Sequence, residues 1–546
     1  MKEKLRVGVI IKDNKIPNWE YQALKEIVGS EYAELVVVVE NKDANDNSRK
    51  REGGFPLAIL RMIDGVDRMG FGRHADYDKE IDISVLIDSV PVLSLNDMQD
   101  EVIGMIKEIH PDIFLQIGCQ NIPNSIIRAS VYGMLTYSAD KSPATGGLLP
   151  GIFEVLNRNP LTRSALMLFD GYKDEGDILF VSTEATCRYS INVNRNMVFW
   201  RNALFMPRIL KGIRNHGKRF IEIQKTRYNN PGNRENKYSG KPGPGRAISY
   251  LFIYLSAIAG TVFRKLVFTD AFNWQILFET GEKQKNILPD FSKFRKLVSS
   301  TDIFWADPFV ISSDDSYFVF VEEFVYSKDR AHLSVLTLDK QGNLIDSKPV
   351  IINPYHMSYP QVFKVDGVYY MLPETAQNRT IELYRCTEFP YKWEFERNLM
   401  EEVSAVDSTL FQYRDKWWMF TALDQTKCKS GNSTELFLFY TDNLFSGEWR
   451  SHPLNPVISD ISTARPAGKV FFRNGKIYRP SQDCTGRYGV GFKLFEITSL
   501  NEFEYDEKPV SEVYPSWDKT LKGTHTFNSD MDFTVIDVYR YRKRLL

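Results

Sequence analysis

Several things are scarce in this 546-residue chain. Net charge is close to zero, because 69 basic side chains face 70 acidic ones and leave a formal -1. Bulk attraction to nucleic acid is therefore excluded as the organising feature. Cysteine is scarce too: Cys119, Cys187, Cys386, Cys428 and Cys484 are odd in number, widely spaced and never paired as C-x-x-C. That pattern argues against a disulfide framework and a zinc site, so no metal is expected, and it fits a reducing compartment. The amino terminus, MKEKLRVGVIIKD, lacks the apolar core and small-residue cleavage site of a secretory signal. Cytoplasmic placement is the resulting expectation. One long apolar run stands out, AISYLFIYLSAIAGTVF at 247–263, between Arg246 and the pair Arg264 and Lys265. Its 17 residues fall at the low edge of the roughly 20 that span a bilayer. A buried or interface helix, a peripheral membrane contact and a span all remain open readings.

What is present divides the chain. Up to about residue 185, apolar runs (LRVGVII at 5–11, ELVVVVE at 34–40, DIFLQIG at 112–118) alternate with helical periodicity near 19–28 and 97–109. Continuous apolar strands separated by helices predict an open α/β domain with a largely parallel, Rossmann-like sheet. Ligands of such sheets bind beyond the strand ends, which puts the loops after Gly118, Ser138 and Phe180 forward. From about 187 the pattern turns helical and basic, and TRYNNPGNRENKYSGKPGPGR then reads as a linker or exposed loop. The expected domains are 1–200 (α/β), 201–270 (helical segment and linker) and 271–546 (all-β).

The all-β part repeats. DDSYFVF, VDGVYYM, YRDKWWMF and RNGKIYR each join a turn to an alternating aromatic strand, and each follows a polar landmark: WADPFV, SYPQVF, VDSTLF and RPAGKVF. Spacings of about 50 to 60 residues suit one four-stranded blade, so a five-bladed β-propeller is expected. A weaker fifth copy begins at 524, and FNWQILFE at 272–279 is positioned to close the ring. Inner strands line the channel of a propeller, which predicts that Asp307, Tyr359, Asp407, Arg465 and His525 converge. An isolated Asp before a strand ordinarily only starts a turn. Five landmarks in register point to a funnel instead.

WADPFV and VDSTLF resemble motifs of the five-bladed arabinanase and xylosidase glycoside hydrolases. The resemblance implies Asp307 as catalytic base and Asp407 as the carboxylate that tunes the acid. Where that family begins its fourth blade with the acidic Glu, this chain reads ARPAG, with Arg465. A guanidinium does not release a proton near neutral pH, so Arg465 is expected to face Asp307 and Asp407, keep them ionised, or clamp an anionic sugar or phosphate. Further funnel candidates are Glu322, Glu323, His356, Glu374, Gln482, Asp483 and His525. Taken together, ADPF, HMSYP, PET, VDSTLF, ARPAG, PSQDC and HTFN resemble the propeller domain attached to plant glucosamine inositolphosphorylceramide transferases.

In the α/β half, HPDIFLQIGCQNIPNSIIRASVYGMLTYSADKSPATGGLLPGIFEVLNRNPLTRSALMLFDGYKDEGDILF resembles the folate-dependent formyltransferases of methionyl-tRNA and amino sugars. The resemblance implies a formyl-tetrahydrofolate-like donor and a catalytic Asp177. It places Thr136 and Ser138 where the family carries the Asn and His of N-x-H, and Asp140 nearby as a displaced base. The combined expectation is a carbohydrate-active transferase of glycan or glycolipid assembly, with altered formyltransferase chemistry and a sugar, nucleotide-sugar or glycolipid as partner. The alternatives are a glycoside hydrolase with a relocated acid and a non-catalytic saccharide-binding scaffold.

Overall fold

The structure, a computed structural model, describes residues 3–41, 55–72, 75–95, 99–118, 122–137, 151–173, 175–229, 243–281, 287–426 and 434–543. Apart from a short stretch at 426–428, it divides into two compact units, one through Val262 and one from Phe263.

The first unit contains a seven-stranded sheet. Its strands are β1 (Leu5–Ile11), β3 (Ala33–Glu40), β5 (Val92–Ser94), β6 (Ile113–Gln116), β7 (Met134–Tyr137), β8 (Leu161–Phe169) and β9 (Asp177–Ala185). A separate ribbon pairs β2 (Lys15–Pro17) with β4 (Glu80–Asp82). The sheet order is β5-β3-β1-β6-β7-β8-β9. Pairings from β5 to β7 are parallel, and β8 and β9 return antiparallel. The apolar runs therefore became parallel strands as expected, because a strand covered on both faces needs no polar side. The helices are α1 (Asn18–Val28), α2 (Phe55–Phe71), α3 (Gln99–Ile109), α4 (Ile191–Asn202), α5 (Phe205–His216), α6 (Lys218–Tyr228) and α7 (Pro244–Val267), with shorter turns between them. The sequence reading had not assigned α2. Phe180 proves to be mid-strand rather than a strand end.

The second unit is five sheets, four of four strands and one, blade three, of five. Blade one is β12 (Ile303–Ser312), β13 (Ser316–Val325), β14 (Arg330–Asp339) and β15 (Leu344–Ile351). Blade two is β16 (Ser358–Val365), β17 (Val368–Glu374), β18 (Thr380–Glu388) and β19 (Lys392–Glu401). Blade three is β20 (Ala405–Tyr413), β21 (Lys416–Leu423), β22 (Glu435–Thr441) and β23 (Arg450–Ser451), with β24 (Ile458–Ser459) also on β22. Blade four is β25 (Phe471–Arg473), β26 (Lys476–Asp483), β27 (Gly491–Leu500) and β28 (Tyr505–Val513). Blade five joins the two ends of the unit: β29 (Phe527–Asp530) and β30 (Phe533–Lys543) pair with β10 (Phe268–Thr280) and β11 (Arg295–Lys296). The ring is thus closed by hydrogen bonds between its first and last segments, as the sequence suggested.

Local chemistry explains the blades. The first hairpins of blades two, three and four turn on two residues, Asp366-Gly367, Arg414-Asp415 and Asn474-Gly475, all with positive φ. This is the turn that matches the twist of paired strands. Side-chain amides then fasten neighbouring inner strands. Gln361 donates to the Leu410 carbonyl and accepts from the Leu410 amide, both at 2.7 Å. Asn528 donates to the Pro308 carbonyl at 2.7 Å and accepts from the Lys469 amide at 2.8 Å.

Blades four and five approach closely at Gly468, where φ is +132° and a Cβ would lie 2.1 Å from the Phe527 carbonyl oxygen. Both facts demand glycine. Gly468→Ala is therefore expected to lower stability by at least ~2 kcal/mol. Urea unfolding of the full chain checks this, and a change below ~0.5 kcal/mol would remove the close approach from the account.

Candidate functional site

Asp307, Tyr359 and Asp407 sit at the same place in blades one, two and three. Each has φ near +50° (50°, 49° and 51°), and each lies at a register shift: Ala306/Phe309, Ser358/Gln361 and Val406/Thr409. A bulge inserts one residue and re-aims the side chain. Holding a non-glycine residue in this left-handed region costs roughly 1 to 2 kcal/mol. Three repetitions of it point to a function for the inner rim. Arg465 and His525 reach the same centre on ordinary backbone, so the convergence is as expected although the local geometry is not fivefold.

The hub has two parts. The deeper one is built on Asp537 of β30, which is fully buried. Its Oδ1 accepts the amides of His525 and Thr526, each at 3.0 Å, and its Oδ2 accepts the amide of Asp307 at 3.0 Å. The His525 ring stacks on Trp274 at 3.9 Å and is flanked by two carboxylates. Its Nε2 is 3.2 Å from Asp307 Oδ1, and its Nδ1 is 2.7 Å from Asp537 Oδ2. The second contact is poorly aligned for a hydrogen bond, so its attraction is mainly electrostatic. Burial works against a charged ring, but Asp537 and Asp307 outweigh it and raise the His525 pKa. Asp307 also accepts the Thr526 hydroxyl at 3.0 Å and the Tyr359 amide at 3.3 Å. Burial, opposed by His525, pushes its carboxyl up to about 6.

The second part is the mouth. Asp407 Oδ2 receives Arg465 Nε at 2.6 Å and Gln482 Nε2 at 2.7 Å. Glu374 Oε2 accepts the Asp407 amide at 3.3 Å and lies 3.8 Å from Arg465 Nη2. Arg465 also lies over the Tyr488 ring at 4.8 Å. Beyond Asp307, Glu322 meets His356 Nε2 at 3.4 Å. His356 Nδ1 accepts from the Ala331 amide, which leaves the ring proton on Nε2, toward Glu322. Burial, and then neighbouring carboxylates, raise both Glu322 and Glu374 well above the ordinary carboxyl range. Burial lowers His356. The side chains of Glu374 and Arg465 are each 14% exposed, against 2% for Asp407 and His525. The mouth therefore offers solvent two carboxyl groups of raised pKa and one guanidinium.

Several expectations require correction. Arg465 bridges Asp407 and Glu374 rather than Asp407 and Asp307, since Asp307 is held by blade five. Asp307 does not suit the role of a water-activating base, because it is buried and both its oxygens are engaged. Glu323 is not in the funnel set: it accepts from Trp305 Nε1 at 2.8 Å and pairs with His332 at 3.3 Å. Adjacent strand residues face opposite ways, so Glu322 takes the funnel place. By the same alternation Gln482 points inward, while Asp483 accepts from Tyr514 at 2.7 Å and pairs with Lys493 at 3.3 Å. Sequence reasoning missed Tyr488 and Asp537. For Asp537 a signal existed, a lone carboxylate within the apolar strand FTVIDV. An opening of about 570 Å³ on the flank of blade two is lined by Asn353, Tyr355, Glu382, Tyr384, Trp393 and Phe395. Its carboxylate, Glu382, is already saturated by Tyr355, Asn378, Thr380 and Tyr384, so the chemistry resides in the hub.

In the first unit Thr136 and Asp177, two of the residues carried over from formyltransferases, stand apart. Thr136 is fully buried in the sheet, and its hydroxyl has no hydrogen-bond partner among the described residues. Asp177 pairs with Lys225 at 3.1 Å. In register, Thr136 opposes Met167, which opposes Ile178. Asp177 is thus two strands away, roughly 10 Å. Ser138 and Asp140 lie outside the described residues, as do Cys119 and Cys428 and most of the predicted linker. Cys187, Cys386 and Cys484 form no disulfide among the described residues. With Ser138 and Asp140 outside the described residues, no step is derived through a formyl-folate group. Among the described residues, Asp307, His525 and Asp537 bring ligand atoms within 4.8 Å of one another and are the set able to hold a cation.

With this geometry in place, the relatives become informative. Residues 295–542 match the family model described as glucosamine inositolphosphorylceramide transferase 1, N-terminal. This stretch is the propeller without its closing strand β10, and it is less than half of the chain. A rice (Oryza sativa subsp. japonica) glucosamine inositolphosphorylceramide transferase 1 is 37% identical over 211 residues, covering 38% of this chain and 28% of the rice protein. The Arabidopsis thaliana protein of that name is 28% identical over 228 residues, covering 41% and 29%. The alignments span less than a third of these relatives' length. Among solved structures, an α-L-arabinofuranosidase from Podospora anserina in complex with cellotriose overlaps with a TM-score of 0.34 at 12% identity, covering 50% of this chain and 97% of that one. A native Bacillus subtilis arabinanase overlaps with 0.32 at 13%, covering 44% and 94%. The five blades rest on this chain's own strand pairing.

The flanked imidazole gives a pH test. A ring whose folded pKa is raised contributes stability that is full below about 6.5 and is lost as pH rises through the folded value. Thermal unfolding between pH 6 and 9 is expected to show a midpoint that falls on the alkaline side. His525→Gln should lower the midpoint at pH 6 and flatten that slope. An unchanged slope contradicts the pairing.

Proposed function

We propose that the propeller hub binds a sugar-phosphate headgroup and that the protein transfers a sugar in glycolipid assembly, onto an inositolphosphorylceramide-type acceptor. The observation that carries this reading is the mouth: Arg465 stands between Asp407 and Glu374, where a hydrolase would need a proton donor. Its Nε is committed to Asp407, which fixes the guanidinium plane and directs its Nη edge toward Glu374 and the opening. A planar cation so held suits a phosphate oxygen. The surrounding carboxyls and Gln482 supply the hydrogen-bonding groups that a polyol requires.

Transfer proceeds as an exchange at the anomeric carbon. The acceptor hydroxyl oxygen bonds to that carbon, the bond to the nucleoside diphosphate breaks, and the phosphate oxygen leaves with the electron pair. The hydroxyl proton passes to a base. Glu374 is assigned that role, because a carboxylate whose pKa is raised by burial and by Asp407 is a stronger base than an ordinary one. Activity accordingly rises with pH through the raised Glu374 value. The similarity of residues 295–542 to the named transferases supports the substrate class, and the engaged, buried state of Asp307 weighs against hydrolysis.

Calorimetry and transfer assays on the full chain test the reading. Arg465→Gln is expected to weaken myo-inositol 1-phosphate binding about tenfold or more, in keeping with a charge-assisted contact. Glu374→Gln should leave that affinity within about threefold and reduce transfer about a hundredfold or more. Cleavage of arabino- or xylo-oligosaccharides, with no preference for the phosphate ligand, would establish the hydrolase alternative.

A further inference from the structure

The first unit carries an apolar surface that the hub chemistry does not use. It is formed by α2 and α7, whose inner faces pack together: Leu60 and Ile63 cluster with Tyr250, Tyr254, Ile152 and Phe153. Tyr254 donates to Asp67 Oδ1 at 2.9 Å. Outside this seam both helices present large apolar groups to solvent. On α2 these are Phe55, Met62, Val66 and Met69, with Met69 78% exposed. On α7 they are Ile248, Phe252, Leu255 and Val262, with Phe252 67% exposed. The spacings of three, four and seven residues put each set on one helix face. Only 17% of the apolar window Pro244–Phe263 is buried, so of the readings of 247–263 the buried helix is the one set aside.

The polar groups of the two helices are arranged to suit a lipid interface. Both carboxylates of α2 are consumed inward. Asp64 pairs with Arg195. Asp67 Oδ2 accepts the Ser190 hydroxyl at 3.1 Å and the Asn192 amide at 2.6 Å. The α7 segment contains no acidic residue. Its hydroxyls bond back to the helix, Ser249 to Arg246 O at 2.7 Å, Ser256 to Ile253 O at 2.8 Å and Thr261 to Ala257 O at 2.8 Å. Their donors are thereby satisfied without water. Arg61, Arg158 and Arg246 are exposed. Arg158 donates to Ser256 at 2.7 Å, and Arg246 donates to Asn157 at 3.1 Å, so these cations belong to the same surface.

We propose that α2 and α7 form one docking surface for a bilayer containing anionic lipid, with both helices lying in the plane of a single leaflet. An apolar stripe edged by arginines is the pattern of interfacial helices, and cations near an anionic leaflet add attraction. A span is excluded by the packed inner face. Crossing the bilayer would strip Tyr250 and Tyr254 from the cluster and expose Asp67 to hydrocarbon. The inference goes beyond the hub reading and stands on residues of the other unit.

Flotation of the full chain with vesicles of phosphatidylcholine, with and without one-quarter phosphatidylglycerol and free of glycolipid, tests it. Wild-type protein is expected to float with the anionic vesicles. Phe252→Glu with Leu255→Glu should cut the partition coefficient at least tenfold. Arg61→Glu with Arg246→Glu should remove the preference for phosphatidylglycerol. Ile345→Glu, an exposed apolar position on β15, serves as the control and should change nothing. The substituted apolar side chains are exposed, so an unaltered unfolding midpoint verifies the fold. Equal partition of wild type and the double variant overturns the proposal. So does wild-type dimerisation, lost in that variant, without vesicle binding, because the face would then belong to a second copy. Protease access on both sides of sealed vesicles overturns the in-plane arrangement. Hub variants that lose transfer but still float separate this result from the fate of the proposed activity.

Discussion

The hub depends on one carboxylate. Asp537 takes three backbone amides from two blades and anchors the deeper half of the hub. It fixes the Asp307 bulge of blade one against the entry to blade five, which sets His525 between two carboxylates. A buried carboxylate is tolerable only when its oxygens are this fully satisfied. The placement also explains why the ring closes where it does. β30 lies between β29 and β10, so the strand carrying the keystone is the one that joins the two ends of the unit.

From that anchor the chemistry divides by depth. Near Asp537 the charges compensate one another and meet little solvent, which is a structural arrangement. Toward the opening, Glu322, Glu374, His356 and Arg465 retain contact with solvent, and burial together with mutual repulsion raises the two carboxyl pKa values. The two carboxylates that a glycoside hydrolase would use are thus unequal here. Asp307 is a member of the deep set, and Arg465 occupies the position expected for the acid. The propeller therefore presents a mouth in which a guanidinium stands between two carboxyl groups, Asp407 and Glu374.

Much of this was legible in the sequence. The turn dipeptides and alternating aromatics gave the blade count, FNWQILFE announced the closing strand, and the landmarks before each hairpin located Asp307, Tyr359, Asp407, Arg465 and His525. Facing was harder to read. Both members of the neighbouring pairs Glu322/Glu323 and Gln482/Asp483 are candidates by sequence, and strand alternation turns only Glu322 and Gln482 inward. Tyr488 lies in TGRYGVG, between β26 and β27, where no periodicity operates. In the first unit the strand pattern revealed the parallel sheet, but Thr136 and Asp177 were paired only by analogy. Two antiparallel returns separate them. The helix α2 carries a readable apolar stripe at Leu57, Leu60 and Ile63, beside a polar stretch that masks it.

The central claim is that five inner strands assemble one mouth for a phosphorylated polyol. A crystal structure of the full chain soaked with myo-inositol 1-phosphate tests it most directly. The account predicts ligand density within hydrogen-bonding distance of Arg465 and Glu374, with the phosphate on the guanidinium side. Density confined to the blade-two flank around Trp393 and Phe395, with the hub unchanged, would contradict it.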